Sequence, residues 1–469
     1  MSDEGGGGNP VAAVARAAGS ASVGVSRAGL IGISVGVVAA GAAAGVAVER
    51  LTVGRATRRR AREALDATAP YGSLRGRPRT VAAPDGTELY VELDGTGWSE
   101  PGRPHPDGAD RGPRRAWFAR RRADGTGGPG GAVDRSGLPG VPAGSGALVR
   151  ASSRRSSGGP AAGDAAPLTV VFCHGYCLNQ DSWHFQRAAL REGMRLVFWD
   201  QRSHGRSERS RTHLAGEDAS IDQLGGDLKA VLDAVVPSGP VVLVGHSMGG
   251  MTVMALAEQH PELFRTGASP ADGGGRVVGV ALIGTLASDW DSVTLGLPAL
   301  GAKLFRRVAP GMMKLLGRQV ELVEATRRLG ADFTAVFYRR FSFGGKDVDP
   351  GVVRFAEQLL DATPIDVVAE FYPAFGAHDK LEALVALRGV PALVLAGTKD
   401  LLTPPGHSEA IARALPGAEL VLAENAGHLV MLERPDLVDR HLAALLCRAA
   451  EHGGAQSPPQ AVQELARPE

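Results

Sequence analysis

Short apolar runs alternate with helical patterns over much of the chain from Leu168 onward. Several runs rich in Val, Leu and Ile have the length of strands, and the more central ones are continuous enough to be buried on both faces. They lie at 168–172, 196–199, 241–244, 277–283, 392–396 and 420–422. Amphipathic helical patterns, such as those at 221–236 and 251–258, lie between most of them. This alternation predicts a mostly parallel, doubly wound α/β sheet.

A predicted hairpin over residues 79–94 adds two strands and brings the sheet to eight. Its turn contains Asp85-Gly86, a pair typical of tight hairpin turns. The stretch from 288 to 378 is helical in period and too long for one crossover, so we predict a helical cap there, inserted before the last two strands. The remaining core is predicted to comprise residues 167–287 and 379–449.

Three segments are predicted to be disordered. Residues 95–166 are rich in Gly, Pro, Arg and Ser and carry few aliphatic side chains. Such a segment buries too little apolar surface to offset the entropy lost on ordering, so we predict a disordered insertion. Residues 1–27 and 450–469 are predicted to be disordered termini.

The uncharged stretch at 28–48 is long enough, at about 1.5 Å per residue, to cross a bilayer as a helix. Its apolarity is diluted by Ala and Gly, so a soluble or disordered segment is one alternative. A cleaved signal peptide is another, because Ala42-Ala43-Ala44 is similar to a cleavage site and would lead to a secreted protein. The basic connector at 49–78 favours a cell-membrane anchor with the bulk of the chain in the cytoplasm.

Charge and cysteine content exclude several classes of protein. The chain has 51 basic and 50 acidic side chains and a formal net charge of +1, so nothing points to a nucleic-acid partner. Cys173, Cys177 and Cys447 show no CxxC spacing, so neither a disulfide framework nor a zinc site is indicated. We expect no metal and no organic cofactor.

The strongest chemical motif is Gly245-His246-Ser247-Met248-Gly249, which joins the predicted strand 241–244 to a helical pattern. A G-x-S-x-G sequence in this context is typical of a nucleophile elbow, a strained turn that exposes a serine hydroxyl above the sheet. The motif predicts Ser247 as a nucleophile. A serine hydroxyl reacts only when a base removes its proton, so a histidine and an orienting acid must follow.

Both groups follow in the required order. Asp400 comes directly after the predicted strand 392–396, and His428 comes after the next one. The carboxyl ends of parallel strands meet at one edge of a sheet, so His428 is the expected base and Asp400 the expected acid. Asp289 is the alternative acid, whereas Glu424 is too close to the end of its own strand to reach across.

Acyl transfer also requires donors for the developing oxyanion. The backbone N–H of Met248 follows the nucleophile and is the first predicted donor. The second is expected in the loop Cys173-His174-Gly175-Tyr176-Cys177, where we favour the N–H of Tyr176, with that of Cys177 as the alternative.

These motifs, together with Asp200-Gln201-Arg202-Ser203-His204-Gly205-Arg206-Ser207, resemble those of the α/β-hydrolase superfamily. The resemblance covers about 80–94 and 167–448 and is greatest to the lid-bearing serine esterase and monoacylglycerol-lipase-like branch, a group that also contains cofactor-free haloperoxidases. It implies the α/β-hydrolase fold and the same five site residues: Ser247, Asp400, His428, Tyr176 and Met248. The family commonly has glycine where this chain has Ser203, so that loop is expected to be tighter or shifted.

The expected function is a serine hydrolase that cleaves carboxylic esters through an acyl-enzyme. Its substrate would be a small-molecule or lipid ester, with membrane contact through the N-terminal segment. The alternatives are an inactive, membrane-tethered binding module and a cofactor-free haloperoxidase or perhydrolase. The phenylalanines of the cap form either an acyl-binding surface or the core of the cap itself; they are Phe305, Phe333, Phe337, Phe341, Phe343, Phe355, Phe371 and Phe375.

Overall fold

A computed structural model of the chain describes residues 70–98, 165–265, 275–296 and 339–467, with scattered positions between 300 and 311. Its described strands form one eight-stranded sheet in the order β1-β2-β4-β3-β5-β6-β7-β8. The strands are β1 (Arg77–Ala82), β2 (Glu88–Gly95), β3 (Thr169–Cys173), β4 (Arg195–Trp199), β5 (Val241–His246), β6 (Val277–Ile283), β7 (Ala392–Gly397) and β8 (Glu419–Ala423).

The sheet is mostly parallel, as the alternating pattern predicts. β1 and β2 form an antiparallel hairpin, and β2 pairs antiparallel with β4. Every other pairing in the sheet is parallel. All residues of β3, β5, β6 and β7 are buried, because helices cover both faces of the central sheet. The carboxyl ends of these strands therefore lie together at one edge.

The described helices cover the two faces of the sheet or belong to the cap. They are α1 (His184–Leu190), α2 (Arg211–Leu214), α3 (Ile221–Val235), α4 (Met248–Gln259), α5 (Pro350–Asp361), α6 (Ile365–Gly376), α7 (Pro405–Ala414), α8 (Val430–Glu433), α9 (Pro435–His452) and α10 (Gln460–Leu465). Short 3₁₀ turns occupy Gln180–Trp183, Pro261–Phe264, Trp290–Ser292 and Glu382–Leu387.

Helices α5 and α6 lie between β6 and β7 in the chain, where the cap is predicted. Phe343 and Phe355 belong to the main hydrophobic core, whereas Phe371 and Phe375 pack in a second cluster with Met248 of α4. The four rings are buried, so packing between the cap and the core explains them. Phe305, Phe333 and Phe337 lie outside the described residues.

The N-terminal hairpin begins two residues earlier than the pattern predicts. Arg77 pairs with Leu93, so β1 extends into the predicted basic connector, and β2 continues to Gly95 at the start of the predicted insertion. Backbone pairing sets these ends, and it needs no apolar side chain at the outermost positions. Residues 99–164 lie outside the described part.

The predicted anchor at 28–48 and the terminus before it also lie outside the described residues. In the parts of the chain that are described, no helix is both long and apolar enough to cross a bilayer.

The prediction of a disordered tail at 450–469 is wrong for the residues described there. Helix α9 continues to His452, and α10 packs on it with Val462 buried in the main core. Gly453 lies against Val278, where a Cβ atom would be 2.5 Å from its Cγ1. The tail is docked by Val462 together with Ala455 and Ala466, which pack against the same core, and by a bond from the Gln456 N–H to the Ala166 carbonyl at 3.0 Å.

A buried carboxyl group links α1 to α9. Gln186 Nε2 donates to Asp439 Oδ1 at 2.8 Å, and Gln186 Oε1 is buried with no hydrogen-bond partner among the described residues. Burial, reinforced by the charge of Asp436, raises the pKa of Asp439 from 3.8 to about 7. A protonated Asp439 is therefore favoured in the folded protein at acidic pH.

Replacing Asp439 with asparagine is expected to stabilise the protein above pH 7. The folded-state pKa of Asp439 is raised, so its contribution to the free energy of unfolding falls as pH increases from about 4 to about 7. Asparagine carries no charge and keeps an acceptor for Gln186. Thermal melts should give a Tm several degrees above wild type at pH 8 and little difference at pH 4. A constant difference across this range would contradict the prediction.

Candidate active site

Ser247 occupies the turn between β5 and α4 with a positive φ of 51° and a ψ of −118°. This conformation is strained for a residue with a side chain. The flanking glycines are required by close contacts: a Cβ at Gly245 would be 2.5 Å from the Gly249 carbonyl oxygen, and one at Gly249 would be 2.1 Å from that of Cys173. The turn is therefore the tight strand-to-helix elbow that the motif predicts.

Hydrogen bonds from β6 and its following loop hold the elbow. The Ser247 N–H donates to the Ile283 carbonyl at 2.9 Å, and Thr285 Oγ1 donates to the Ser247 carbonyl at 2.8 Å. These bonds stabilise the strained backbone without using the Ser247 hydroxyl.

Asp400 and His428, which lie on different loops, are in direct contact. His428 Nδ1 lies 2.8 Å from Asp400 Oδ2, and both side chains are almost wholly buried. Three further donors bind the same carboxylate: the Thr403 hydroxyl at 2.8 Å, the Thr403 N–H at 2.9 Å and the Leu402 N–H at 2.8 Å. The carboxylate is thus fixed in position and faces the imidazole.

His246 connects the elbow with the loop that carries His428. Its Nε2 donates to the His428 carbonyl at 3.0 Å, and the two ring centroids are 4.8 Å apart. Burial, together with the charge of His428, holds the pKa of His246 well below its usual value, so this ring is neutral. Ser247 is the next residue in the chain, so the candidate nucleophile, base and acid lie at one edge of the sheet.

Asp289, the alternative acid, is exposed and is not the carboxylate that contacts His428. It precedes the 3₁₀ turn Trp290–Ser292 and lines a surface cavity of about 420 Å³ with Ser292, His407 and Arg413. In that cavity Ser292 Oγ lies 3.2 Å from His407 Nε2. The carboxylate in contact with His428 is that of Asp400.

The loop after β3 lies against the elbow. A Cβ at Gly175 would be 2.6 Å from His246 Nδ1 and 3.2 Å from Ser247 Cβ, so only glycine allows this approach. Tyr176 follows it, and Met248 is the first residue of α4. Among the backbone hydrogen bonds of the described residues outside helices and strands, none uses the Tyr176 N–H or the Met248 N–H as its donor, as the predicted oxyanion hole requires.

Ser203 also has a positive φ, of 65°. Glycine favours this conformation, and the family commonly has glycine here. The loop keeps it because the Ser203 hydroxyl donates to Glu370 Oε1 at 2.9 Å and accepts the Ser210 N–H at 3.0 Å. Hydrogen bonds therefore offset the strain, and the side chain ties the loop to helix α6 of the cap.

The cap contacts the candidate site at two more places. The Tyr176 hydroxyl donates to the Val368 carbonyl of α6, and the Tyr176 ring packs edge-on against Phe375 at 4.9 Å between centroids. Arg209 forms an ion pair with Glu370 at 2.8 Å. Helix α6 thus covers the loop that follows β3.

Glu433 of α8 joins a second part of the cap, residues 342–345, to the loop of His428. The Glu433 carboxylate accepts the backbone N–H groups of Gly427 at 2.7 Å, Gly345 at 2.6 Å and Gly344 at 3.1 Å. The Leu429 N–H also donates to the Ser342 carbonyl at 2.9 Å. The histidine loop and residues 342–345 are therefore joined by their backbones.

Sequence reasoning missed Thr403 and His246 as parts of this site. Thr403 follows Asp400 by three residues, and that spacing is a recognisable turn signal in which a hydroxyl and N–H groups bind the carboxylate. His246 had no comparable signal, because its contact with the His428 carbonyl depends on how two distant loops pack.

Comparisons with known proteins agree with this architecture. A family model described as alpha/beta hydrolase fold matches residues 169–435, which is more than half of the chain. The sn-1-specific diacylglycerol lipase ABHD11 of Mus musculus is 28% identical over 283 residues, which is 59% of this chain and 80% of the lipase.

Two further proteins match more than half of this chain. An uncharacterized protein of Mycobacterium tuberculosis is 26% identical over 291 residues, covering 58% of this chain and 74% of that protein. The solved structure of a thermophilic esterase from Thermogutta terrifontis has a TM-score of 0.50 and 20% identity, and the match covers 79% of this chain and 98% of the esterase. With the family model, the sheet order and the elbow in agreement, the chain belongs to the α/β-hydrolase superfamily.

Proposed function

We propose that this hydrolase cleaves carboxylic esters with Ser247 as nucleophile, His428 as general base and Asp400 as the orienting acid. The observation that carries the proposal is the 2.8 Å contact between His428 Nδ1 and Asp400 Oδ2 at the sheet edge where the Ser247 elbow lies. An ionised carboxylate only accepts hydrogen bonds, so the ring donates from Nδ1 and keeps Nε2 available as a base.

The reaction would proceed in two halves. Ser247 attacks the ester carbonyl as His428 Nε2 takes its proton, and Asp400 stabilises the imidazolium that forms. The Tyr176 and Met248 N–H groups would bind the oxyanion of the tetrahedral intermediate. His428 then gives the proton to the departing alcohol. In the second half a water, activated by the same imidazole, releases the acid from Ser247.

The named activity of the diacylglycerol lipase relative supports a lipid ester as the substrate class. Attachment to the membrane through residues 28–48 stays a prediction, which fractionation of cells would test.

A fluorophosphonate probe tests the chemistry directly, because it modifies a serine only when a base activates the hydroxyl. Wild-type protein should be labelled on Ser247, as located by peptide mass spectrometry, and should hydrolyse p-nitrophenyl esters of graded chain length. Ser292→Ala is the matched control, since Ser292 lies beside His407 outside the elbow, and it should be labelled as wild type. Absence of both labelling and turnover in wild type would favour an inactive binding module.

A further inference from the structure

The two candidate oxyanion donors lie on separate segments of the chain. Tyr176 follows β3, whereas Met248 begins α4 after β5. Donors of this kind accelerate a reaction only when both converge on the position of the oxyanion before the reaction begins. The hydrogen bonds that hold these segments relative to each other therefore bear on catalysis.

The direction of the Tyr176 N–H follows from the carbonyl on the other side of the same peptide bond. The Gly175 carbonyl accepts His174 Nδ1–H at 2.8 Å and the Leu178 N–H at 3.2 Å. The described residues contain no cis peptide bond, and in a trans peptide the N–H points away from the carbonyl. Fixing the carbonyl on the His174 side therefore turns the Tyr176 N–H away from that side.

His174 is in turn held at both ends by Gln201. The Gln201 backbone N–H donates to His174 Nε2 at 2.9 Å, and its side-chain amide Nε2 donates to the His174 carbonyl at 2.6 Å. Both residues are completely buried, and burial lowers the pKa of His174 to about 4. The imidazole is thus neutral, with its proton on Nδ1 and its Nε2 lone pair bound to Gln201.

The remaining atom of the Gln201 amide reaches the other donor segment. Thr252 Oγ1 donates to Gln201 Oε1 at 2.8 Å and also lies 2.9 Å from the Met248 carbonyl, one helical turn earlier. Thr252 is completely buried. One amide side chain therefore contacts both segments, through its NH₂ group on one side and its oxygen on the other.

We infer that Gln201 is a positioning residue that sets the two oxyanion donors, Tyr176 N–H and Met248 N–H, in register with each other. This inference rests on the proposed function, because it requires the Tyr176 and Met248 N–H groups to bind the oxyanion. It assigns no substrate contact to Gln201 itself. The amide is suited to the task because it supplies a donor and an acceptor in one plane. A carboxylate would lack the donor for the His174 carbonyl, and an apolar side chain would lack both.

Gln201→Met tests the inference, because it keeps the length of the side chain and removes both hydrogen bonds. We expect kcat on p-nitrophenyl esters to fall about 10- to 100-fold with KM changed less than about threefold, since a small displacement of a donor weakens the transition state more than the ground state. Inhibition by a boronic acid, which mimics the tetrahedral intermediate, should weaken by a similar factor. Thr252→Val, which removes one of the two connections, should show a smaller loss in the same direction.

Gln186→Met is the matched control. Gln186 is equally buried, and its side chain donates to Asp439 of α9 and to the Met431 carbonyl of α8, whereas the Gln201 side chain bonds to the segments that carry the two donors. It should lower Tm as Gln201→Met does, yet leave kcat and boronic acid inhibition within about twofold of wild type. Equal losses of kcat in the two variants, or unchanged kcat and inhibition in Gln201→Met, would overturn the inference.

If Gln201→Met does not fold, Thr252→Val decides by the same readouts. Failure of the proposed function is distinct, because wild type itself would then not be labelled by fluorophosphonate.

Discussion

Ester turnover by Ser247→Ala is expected to be lower than that of wild type by about 10⁴- to 10⁶-fold, and His428→Ala should lose a similar amount. Without the hydroxyl no acyl-enzyme forms, and without the imidazole nothing accepts its proton. The variants should keep the wild-type Tm within a few degrees, because neither the Ser247 hydroxyl nor the His428 ring carries the backbone bonds that hold the elbow. Initial rates on a short p-nitrophenyl ester, with active sites counted by titration, measure the loss.

The double variant Ser247→Ala/His428→Ala should be little slower than either single variant. Residues that act as one unit lose their effect when either is removed, so their losses do not add. Losses that multiply in the double variant would show that Ser247 and His428 are not partners. Ser292→Ala should retain wild-type rates and excludes a general effect of removing a serine hydroxyl.

Asp400→Asn is expected to lower kcat by about 10³- to 10⁴-fold. Asparagine keeps the shape of the side chain, but its NH₂ group can replace the acceptor that faces His428 Nδ1, so the ring adopts the wrong tautomer. It also removes the negative charge that stabilises the imidazolium. The measurement is a steady-state rate with Tm determined alongside, because Asp400 also anchors the Thr403 turn.

Asp289→Asn is the matched variant and should have a kcat within about twofold of wild type, because Asp289 lies at the surface cavity with His407. The reverse ranking of the two variants would move the orienting acid to Asp289 and leave Ser247 and His428 in place. Equal, small effects of both would mean that His428 needs no carboxylate partner.

Most of the sheet follows from local sequence pattern. β6 coincides with its apolar run, and the other predicted strands agree to within two residues at each end. Buried parallel strands are continuous apolar runs, so their position is encoded locally. The tail could not be predicted in the same way, because α10 is docked by Val462 against distant parts of the chain and not by any periodicity of its own.

The same distinction between local pattern and distant packing applies to the candidate site. Ser247, Asp400 and His428 each follow a strand in a recognisable order, so the fold rule that brings strand ends together predicts their proximity, and the contact between Asp400 and His428 agrees with it. The supporting groups are different. Gln201 and His246 act through contacts with segments far away in the chain, and those contacts are specified only by the packing of the complete sheet.

The bonds of Glu433 limit how the cap could be exchanged between relatives. A graft that replaced all of residues 288–378 would remove two of the three N–H groups bound by this carboxylate, those of Gly344 and Gly345. A buried acceptor left without its partners costs about 1–3 kcal/mol, and here the cost would fall on the loop that positions His428. An exchange of the cap would therefore have to use two segments, one before Ser342 and one after Gly345, and keep residues 342–345 together with the loop of His428.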